Sequence, residues 1–252
     1  MVAPLALSPV PTGDSGTLEF NCDLGEGEPA TLTAALFPRL GSANVACGGH
    51  AGDDSSMRYC VELARFHGVR LGAHPGLQGR FGRGTAAVTS GELAALVVDQ
   101  VSRFIHVAGS VGEHVQHVKL HGSLYWLSES TPEFALAYLD VVRQVFAGRR
   151  IFAVAGGRVS TLAAEAGVEI WPEAFADRSY QPDGLLVPRD QPGAIITRAD
   201  LIAARVRELV ENGRVQAVDG SWLPVAARTL CFHADTPRAE NLLIAAKEAL
   251  KG

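Results

Sequence analysis

The sequence lacks the features that mark several large classes of protein. No apolar run reaches the length of about 18 residues that a membrane-spanning helix needs. There is no basic excess either: 22 lysines and arginines face 27 aspartates and glutamates, and the formal net charge of −5 argues against a nucleic-acid surface. Near the first residue there is neither a basic segment nor a long apolar one, so we expect no signal peptide.

Cysteine is scarce, and so are nucleotide-binding signatures. The four cysteines form no C-x-x-C pair, which argues against a zinc ribbon or a redox pair. Three of them lie in or beside apolar strand-like runs, so we expect buried, reduced thiols in a cytoplasmic protein. Neither G-x-G-x-x-G nor G-x-x-x-x-G-K-[ST] follows the first apolar run, so the sequence offers no nucleotide fingerprint at that point.

Short apolar runs and amphipathic patterns alternate along the chain. Seven runs are typical of strands: residues 17–22, 42–47, 69–73, 115–120, 151–154, 168–170 and 229–232. Helical patterns separate them, with predicted starts at Thr89 with Glu92, Thr131-Pro132, residues 197–200 and Thr236-Pro237. This alternation predicts an α/β protein with a mostly parallel sheet, and it fits a (β/α) barrel better than an open doubly wound sheet. We predict one barrel domain over residues 17–252 and a flexible tail over residues 1–16.

Glycines and ionisable groups meet directly after the second predicted strand. Residues 48–54 contain three glycines, His50, Asp53 and Asp54, and a helical pattern follows them. In α/β proteins, ligands bind at this kind of junction, past the carboxyl end of a strand. A histidine and acids presented there by glycines suit a catalytic site. The alternative is an ordinary glycine-rich turn in which Asp54 caps the following helix.

Other predicted strands end in the same way. The polar side chains at these ends are Asn21, Asp23, Glu26, Asn44, His50, His74, His117, Lys119, His121, Tyr125 and His233. Each residue alone has a plainer structural explanation, such as capping a turn or being satisfied in the core. Five of the eight histidines nevertheless fall at strand ends. Because the strand ends of a barrel open on one face, we predict that these side chains share one site.

Lys119 lies between two histidines on one predicted strand. Because side chains alternate along a strand, His117, Lys119 and His121 point to the same side, which is the interior in a barrel. A buried lysine is costly unless it is paired, and Asp23 and Asp177 are the candidate partners. The alternative is an edge strand whose polar face lies in water.

A long irregular segment begins at residue 173. Loops of this length inside a compact domain are usually functional. Asp177 and Arg178 could bind and orient a carboxylate or a phosphate, or they could form a solvated surface pair. Arg83, in Phe81-Gly82-Arg83, is a second candidate anion site.

Taken together, these motifs resemble those of the LamB/YcsF family. The matching stretches are residues 21–26, 42–53, 72–75, 81–83, 117–125, 173–189 and 231–233. They occur in the family's order and extend over nearly the whole chain. The resemblance implies a distorted (β/α) barrel, similar to the glycoside hydrolase/deacetylase superfamily. It also implies the opening of 5-oxo-L-proline to L-glutamate, coupled to ATP hydrolysis, together with separate B and C subunits.

The chain departs from the family's usual pattern at a few positions. Cys22, Gly49 and Leu120 stand where the family usually has Ala, Phe and Pro. The loops after Glu26 and after His74 are shorter than usual. These differences keep the ionisable groups and alter the wall of the predicted pocket.

The implied reaction suggests roles for the predicted site. An unstrained lactam is a poor electrophile, and ATP could activate it by phosphorylating the amide oxygen. Because this chain shows no phosphate loop, we expect the partner subunits to supply ATP, while this chain supplies a base, an acid and positive charge. Asp23 and His50 are the candidate base and acid, Lys119 and Arg178 the candidate cations, and His121 completes the catalytic set. The candidate substrate-binding residues are Asn21, Glu26, Asn44, His74, Arg83, Tyr125, Asp177, Arg178 and His233.

Other functions fit the same residues. A divalent metal could bind Asp23, His50 and His74, as in the deacetylases of the similar superfamily. The chain could then be a metal-dependent amidohydrolase or deacetylase that acts alone, without ATP. It could also be a non-catalytic binding subunit, in which substitutions at the strand ends change association and not turnover. The sequence leaves open whether the chain forms an oligomer.

Overall fold

Seven parallel strands form a closed barrel in the computed structural model, which describes residues 18–79 and 88–251. Strands β1 to β6 are Glu19–Leu24, Ser42–Ala46, Arg70–His74, Val115–Val118, Arg150–Val154 and Ile170–Phe175. Two short strands, β7 (Arg214–Gln216) and β8 (Trp222–Pro224), form a separate antiparallel pair, and β9 (Thr229–His233) closes the barrel between β6 and β1. The predicted fold class is confirmed. The predicted tail, residues 1–16, and Arg83 lie outside the described residues.

Helices connect the strands. Helices α1 to α8 are Ala30–Leu36, Asp54–His67, Ser90–Gly109, Gly122–Ser130, Pro132–Val145, Arg158–Ala166, Ala199–Asn212 and Ala239–Ala249, and a 3₁₀ turn, Phe37–Arg39, follows α1. The capping box predicted from Thr89 and Glu92 begins α3, and Pro132 begins α5 as predicted. Helix α7 ends at Gly213 in the left-handed conformation that favours glycine. In the part of the chain that the structure describes, no helix is both long and apolar enough to cross a membrane.

One helix start differs from the alternative interpretation of residues 48–54, and another differs from the prediction. Asp53, and not Asp54, caps α2, because its carboxylate accepts the Ser56 N–H while the Ser56 hydroxyl accepts the Asp53 N–H. Helix α8 begins two residues after the predicted Thr236-Pro237 start, at Ala239. The Thr236 hydroxyl instead donates to a carboxylate at the mouth of the barrel, so it is not free to cap the helix. The Asp53 carboxylate therefore caps the start of α2, whereas the Thr236 hydroxyl binds at the barrel mouth.

The sixth strand is longer than predicted. Strand β6 runs to Phe175 and pairs with both β5 and β9, so Glu173 lies in the barrel wall and not in the irregular segment. Pro172 obscures this strand in the sequence, since proline cannot donate to a strand ladder. In the barrel the Pro172 carbonyl accepts the Arg228 N–H, which ties β6 to the start of β9.

The barrel wall separates an apolar outer layer from a polar interior. Phe20 and Leu24 of β1 belong to the apolar core, and the Lys247 ammonium of α8 lies over the Phe20 ring. Asp23 alternates with these residues and points inward, where Lys119 reaches it from across the barrel. Barrels of this type commonly fill their interior with branched apolar side chains. An interior of charges and amides must instead be held by hydrogen bonds and ion pairs.

Candidate active site

Lys119 is the centre of the polar interior. Its ammonium lies 2.9 Å from an Asp23 oxygen, 3.1 Å from a Glu173 oxygen and 3.0 Å from the Cys231 sulfur. All four side chains are buried. Burial opposes the charge of Lys119, but the neighbouring Asp23, Cys231 and Glu173 outweigh it and hold the pKa of Lys119 well above its usual value. Lys119 therefore stays protonated and balances part of the charge of two carboxylates.

The same surroundings keep Asp23 ionised. Burial would raise the pKa of Asp23, but His74 and Lys119 hold it well below its usual range. One Asp23 oxygen accepts from Lys119 and, at 2.7 Å, from the Asn44 amide. The other oxygen faces His74 Nε2 at 3.4 Å and His233 Nε2 at 3.8 Å. Of the two predicted partners of Lys119, Asp23 is the one that pairs with it, and its second oxygen is a candidate base.

Two asparagines hold these charges in place. The Asn44 amide donates to oxygens of Asp23 and Asn21, at 2.7 Å each, and its oxygen accepts from His117 Nε2 at 2.7 Å. The Asn21 amide donates to Glu173 at 2.9 Å. Both asparagines are fully buried. The geometry therefore gives Asn21 and Asn44 a positioning role, and their predicted substrate contacts stay predictions.

Three histidines converge on one carboxylate beside this centre; we call Glu26, His50, His74 and His121 the histidine cluster. One Glu26 oxygen lies 2.9 Å from His50 Nε2, 3.0 Å from His121 Nδ1 and 3.5 Å from His74 Nε2. The His50 and His121 rings stack with their centroids 3.6 Å apart. Burial lowers the pKa of His50 to about 4, against the opposing hydrogen bond to Glu26, so its ring is neutral near pH 7.

His233 pairs with a buried carboxylate on the other side of Asp23. His233 Nδ1 lies 2.8 Å from one Asp177 oxygen, and the other Asp177 oxygen accepts the His233 N–H at 3.0 Å and the Thr236 hydroxyl at 2.6 Å. Burial would raise the pKa of Asp177, but His233 and these hydrogen bonds lower it. The Asp177 carboxylate binds His233 at Nδ1, and the other ring nitrogen, Nε2, faces Asp23. Asp177 thus orients His233.

Two side chains predicted to bind substrate also make hydrogen bonds within the chain. Arg178 is buried and donates to the Val187 carbonyl at 2.8 Å, which fastens the irregular segment after β6. The Tyr125 hydroxyl is also buried, and it donates to Glu173 at 3.1 Å. Both side chains therefore stabilise the walls of the site.

Sequence-based reasoning missed two members of the site. Glu173 and Cys231 contact the Lys119 ammonium, at 3.1 Å and 3.0 Å, and neither was among the candidate site residues. The available signal for Glu173 was an acid inside an otherwise apolar run, next to Pro172.

The structure separates the predicted metal ligands into two groups. His50 and His74 belong to the histidine cluster, whereas Asp23 lies with Cys231 and His233.

The fold and the site together define a class of protein: a (β/α) barrel with an ionisable site at the carboxyl ends of its strands, where barrel enzymes bind substrates. Within that class the sequence is specific. The model of the LamB/YcsF family matches residues 18–252, and the chain belongs to this family.

Relatives of the chain have consistent names. A protein from Nitrobacter winogradskyi, named as the A subunit of 5-oxoprolinase, is 39% identical over 241 residues, which cover 93% of this chain and 94% of the relative. One of the same name from Streptomyces coelicolor is 42% identical over 239 residues, covering 93% and 96%. The crystal structure of the lactam utilization protein from Thermus thermophilus is 35% identical, with a TM-score of 0.84, covering 93% of this chain and 96% of that one.

Proposed function

We propose that this chain is the lactam-opening subunit of an ATP-dependent 5-oxoprolinase, which converts 5-oxo-L-proline to L-glutamate. The observation that carries the proposal is an ionised Asp23 at the barrel mouth, held by Lys119 and facing a histidine that Asp177 orients. The names of two relatives, 39% and 42% identical, and of the Thermus protein support a lactam as the substrate.

The reaction adds water across the carbon–nitrogen bond of the lactam. The water oxygen bonds to the carbonyl carbon, and the nitrogen leaves as an amine, so a base must take one proton and an acid must give one. The second oxygen of Asp23 is our candidate base. His233 is our candidate acid, because Asp177 holds Nδ1 and leaves Nε2 to carry the transferred proton. This assignment replaces His50, whose side chain is only 1% exposed and whose Nε2 contacts Glu26.

Lys119 has two roles in this scheme. It keeps Asp23 ionised, which is the form in which a carboxylate can accept a proton from water. Its charge also offsets the negative charge that accumulates on the carbonyl oxygen, which stabilises the transition state in a water-poor interior. Glu173 and Cys231 hold the ammonium in place for both roles.

We assign ATP to partner subunits, which we take to be B and C subunits. The backbone N–H groups of Gly25 and Glu26, which form the kind of loop that can hold an anion, already bind the Glu28 carboxylate at 2.7 Å and 2.8 Å. The word subunit in the relatives' names supports an assembly. In it, ATP would transfer its terminal phosphoryl group to the lactam oxygen and ADP would leave. One water would then open the ring, with the amine leaving, to give an acyl phosphate, and a second water would release glutamate and phosphate. Because Cys22, Cys47, Cys60 and Cys231 are free and buried, we place the assembly in the cytoplasm.

Reconstitution tests this proposal. The chain is mixed with B and C subunits, 5-oxoproline and ATP, and we expect glutamate and ADP in equal amounts, with neither formed when this chain is left out. In the same complex, Asp23→Asn should lower turnover about 10²–10⁴-fold, as expected for loss of a general base. Turnover by the chain alone without ATP would point to an independent amidohydrolase. Undiminished turnover with Asp23→Asn would point to a binding subunit.

A further inference from the structure

The histidine cluster gathers side chains from four consecutive strands of the barrel. Glu26 follows β1, His50 follows β2, His74 ends β3 and His121 follows β4. One nitrogen from each ring and one carboxylate oxygen lie within 4.8 Å of one another. Three ring nitrogens and one carboxylate oxygen thus converge on a single point. Ring nitrogens face each other there, and this arrangement needs a physical explanation.

The protons of His74 show the difficulty. His74 Nδ1 lies 2.8 Å from the Lys119 carbonyl oxygen, and since a carbonyl only accepts, Nδ1 carries a proton. Nε2 faces inward, 3.0 Å from His121 Nδ1, 3.4 Å from an Asp23 oxygen and 3.5 Å from a Glu26 oxygen. Because His121 Nδ1 also lies 3.0 Å from Glu26, one proton between the rings cannot serve all of these contacts, whereas a metal cation among them would. A second ring nitrogen bonded to a backbone carbonyl is also the usual arrangement of metal-binding histidines.

The surrounding chain holds the rings in this arrangement. A Cβ at Gly76 would lie 2.4 Å from His50 Nδ1 and 3.0 Å from the His121 Cβ, so the missing side chain makes room for both histidines. The rings of His50 and His121 are nearly parallel, with 6° between their planes. Packing therefore fixes the ring positions before any ligand arrives.

We propose that Glu26, His50, His74 and His121 bind one divalent transition-metal ion, and that zinc fits this donor set best. Imidazole nitrogens with a carboxylate oxygen are ligands that zinc accepts in four-coordinate sites. Calcium and magnesium prefer oxygen ligands, which argues against them. The site differs from the metal set predicted from the sequence, because Glu26 and His121 belong to it and Asp23 does not. When bound, such an ion supplies Lewis acidity next to Asp23.

Zinc binding to this chain is independent of the proposed reaction, because it is measured without substrate, ATP or partner subunits. The full chain is stripped with a chelator, dialysed, and titrated with Zn²⁺ by calorimetry, and bound zinc is counted by elemental analysis. We expect about one zinc per chain. With Zn²⁺ at about 100 times Kd, the melting temperature should rise by about 5–10 °C.

Two ligand variants and one control locate the ion. His121→Phe keeps a flat ring against His50 and removes the nitrogen, and Glu26→Gln keeps the shape and removes the charge. Each should weaken zinc binding by at least the roughly 10–100-fold that loss of an outer-shell partner costs. His114→Phe removes an exposed histidine outside the histidine cluster and should bind zinc like the wild type.

The wild-type chain alone can overturn the proposal. If it shows no saturable uptake of about one zinc, hydrogen bonds among Glu26, His50, His74 and His121 account for the arrangement, and it is not a metal site. Equal zinc affinity in the wild type, His121→Phe and Glu26→Gln would also overturn it. If neither ligand variant folds, the wild-type stoichiometry and its zinc-dependent melting shift still decide the question.

Discussion

Replacing Lys119 by methionine removes the ammonium between Asp23 and Glu173 and keeps most of the length of the side chain. Each carboxylate retains an amide donor, since Asn44 lies 2.7 Å from Asp23 and Asn21 lies 2.9 Å from Glu173. The variant therefore holds two buried carboxylates without the positive charge that balanced them. Removing one partner of a buried ion pair costs about 3–5 kcal/mol. We expect the free energy of unfolding of Lys119→Met to fall by that amount near neutral pH.

The loss should depend on pH in a definite direction. In the wild type the pKa of Asp23 is lowered, so its stabilisation is present above the unfolded pKa and is lost as pH falls. Without Lys119, one of the charges that oppose burial is gone, so the pKa of Asp23 is higher in the variant than in the wild type. The variant therefore loses less stability than the wild type when Asp23 takes up its proton. The difference between wild type and variant should shrink as pH is lowered below about 5.

Urea unfolding followed by circular dichroism measures both effects. The double variant Lys119→Met/Glu173→Gln removes one of the two unbalanced charges and should recover part of the loss. Lys251→Met, which changes an exposed lysine, should stay within about 0.5 kcal/mol of the wild type. A deficit under about 1 kcal/mol at pH 8, or a difference that widens on acidification, would refute a charged Lys119 paired with these carboxylates.

Gly76 and Glu129 give the remaining predictions. Gly76→Ala places a Cβ 2.4 Å from His50 Nδ1 and should destabilise the folded chain by about 1–3 kcal/mol. In the control Gly91→Ala in α3, the new Cβ meets nothing within 4 Å, so this variant should be neutral or stabilising. Equal melting temperatures of the two variants would contradict this. Burial raises the pKa of Glu129 to about 7, so the stability that its neutral form gives is lost as pH rises through that value. Between pH 6 and pH 8 the wild type should lose about 1 kcal/mol relative to Glu129→Gln in urea unfolding, and parallel pH curves would contradict this.

The site could be located from sequence because of what a barrel does to strand ends. Asp23, His74 and His233 each lie at the end of an apolar run, and parallel closure brings such ends together whatever the details of the loops. Because a buried ammonium needs a carboxylate, the sequence left two candidate partners for Lys119, Asp23 and Asp177. Choosing Asp23 over Asp177 required distances across the barrel, which spacing along the chain does not contain.

Other features depended on information that no local pattern carries. Glu173 was hidden because Pro172 breaks the appearance of a strand, although its carbonyl still joins the wall. The roles of His50 and His233 also could not be separated from sequence, because both follow apolar runs. Their difference lies in which carboxylate each ring contacts: Glu26 among other histidines for His50, and a buried Asp177 for His233.

Closure of the sheet by its first and last strands has a consequence for the order of folding. Asn21 on β1 donates to Thr229 on β9, which is 208 residues away along the chain. Contacts of such separation form late, because the entropy of closing the loop opposes them until much else is in place. Cys231 and His233 arrive with β9, so a growing chain that has already paired its early strands has not yet completed the surroundings of Lys119. We expect the ability to catalyse the reaction to appear in one late folding step, when β9 joins the barrel, and not to increase with each strand that forms.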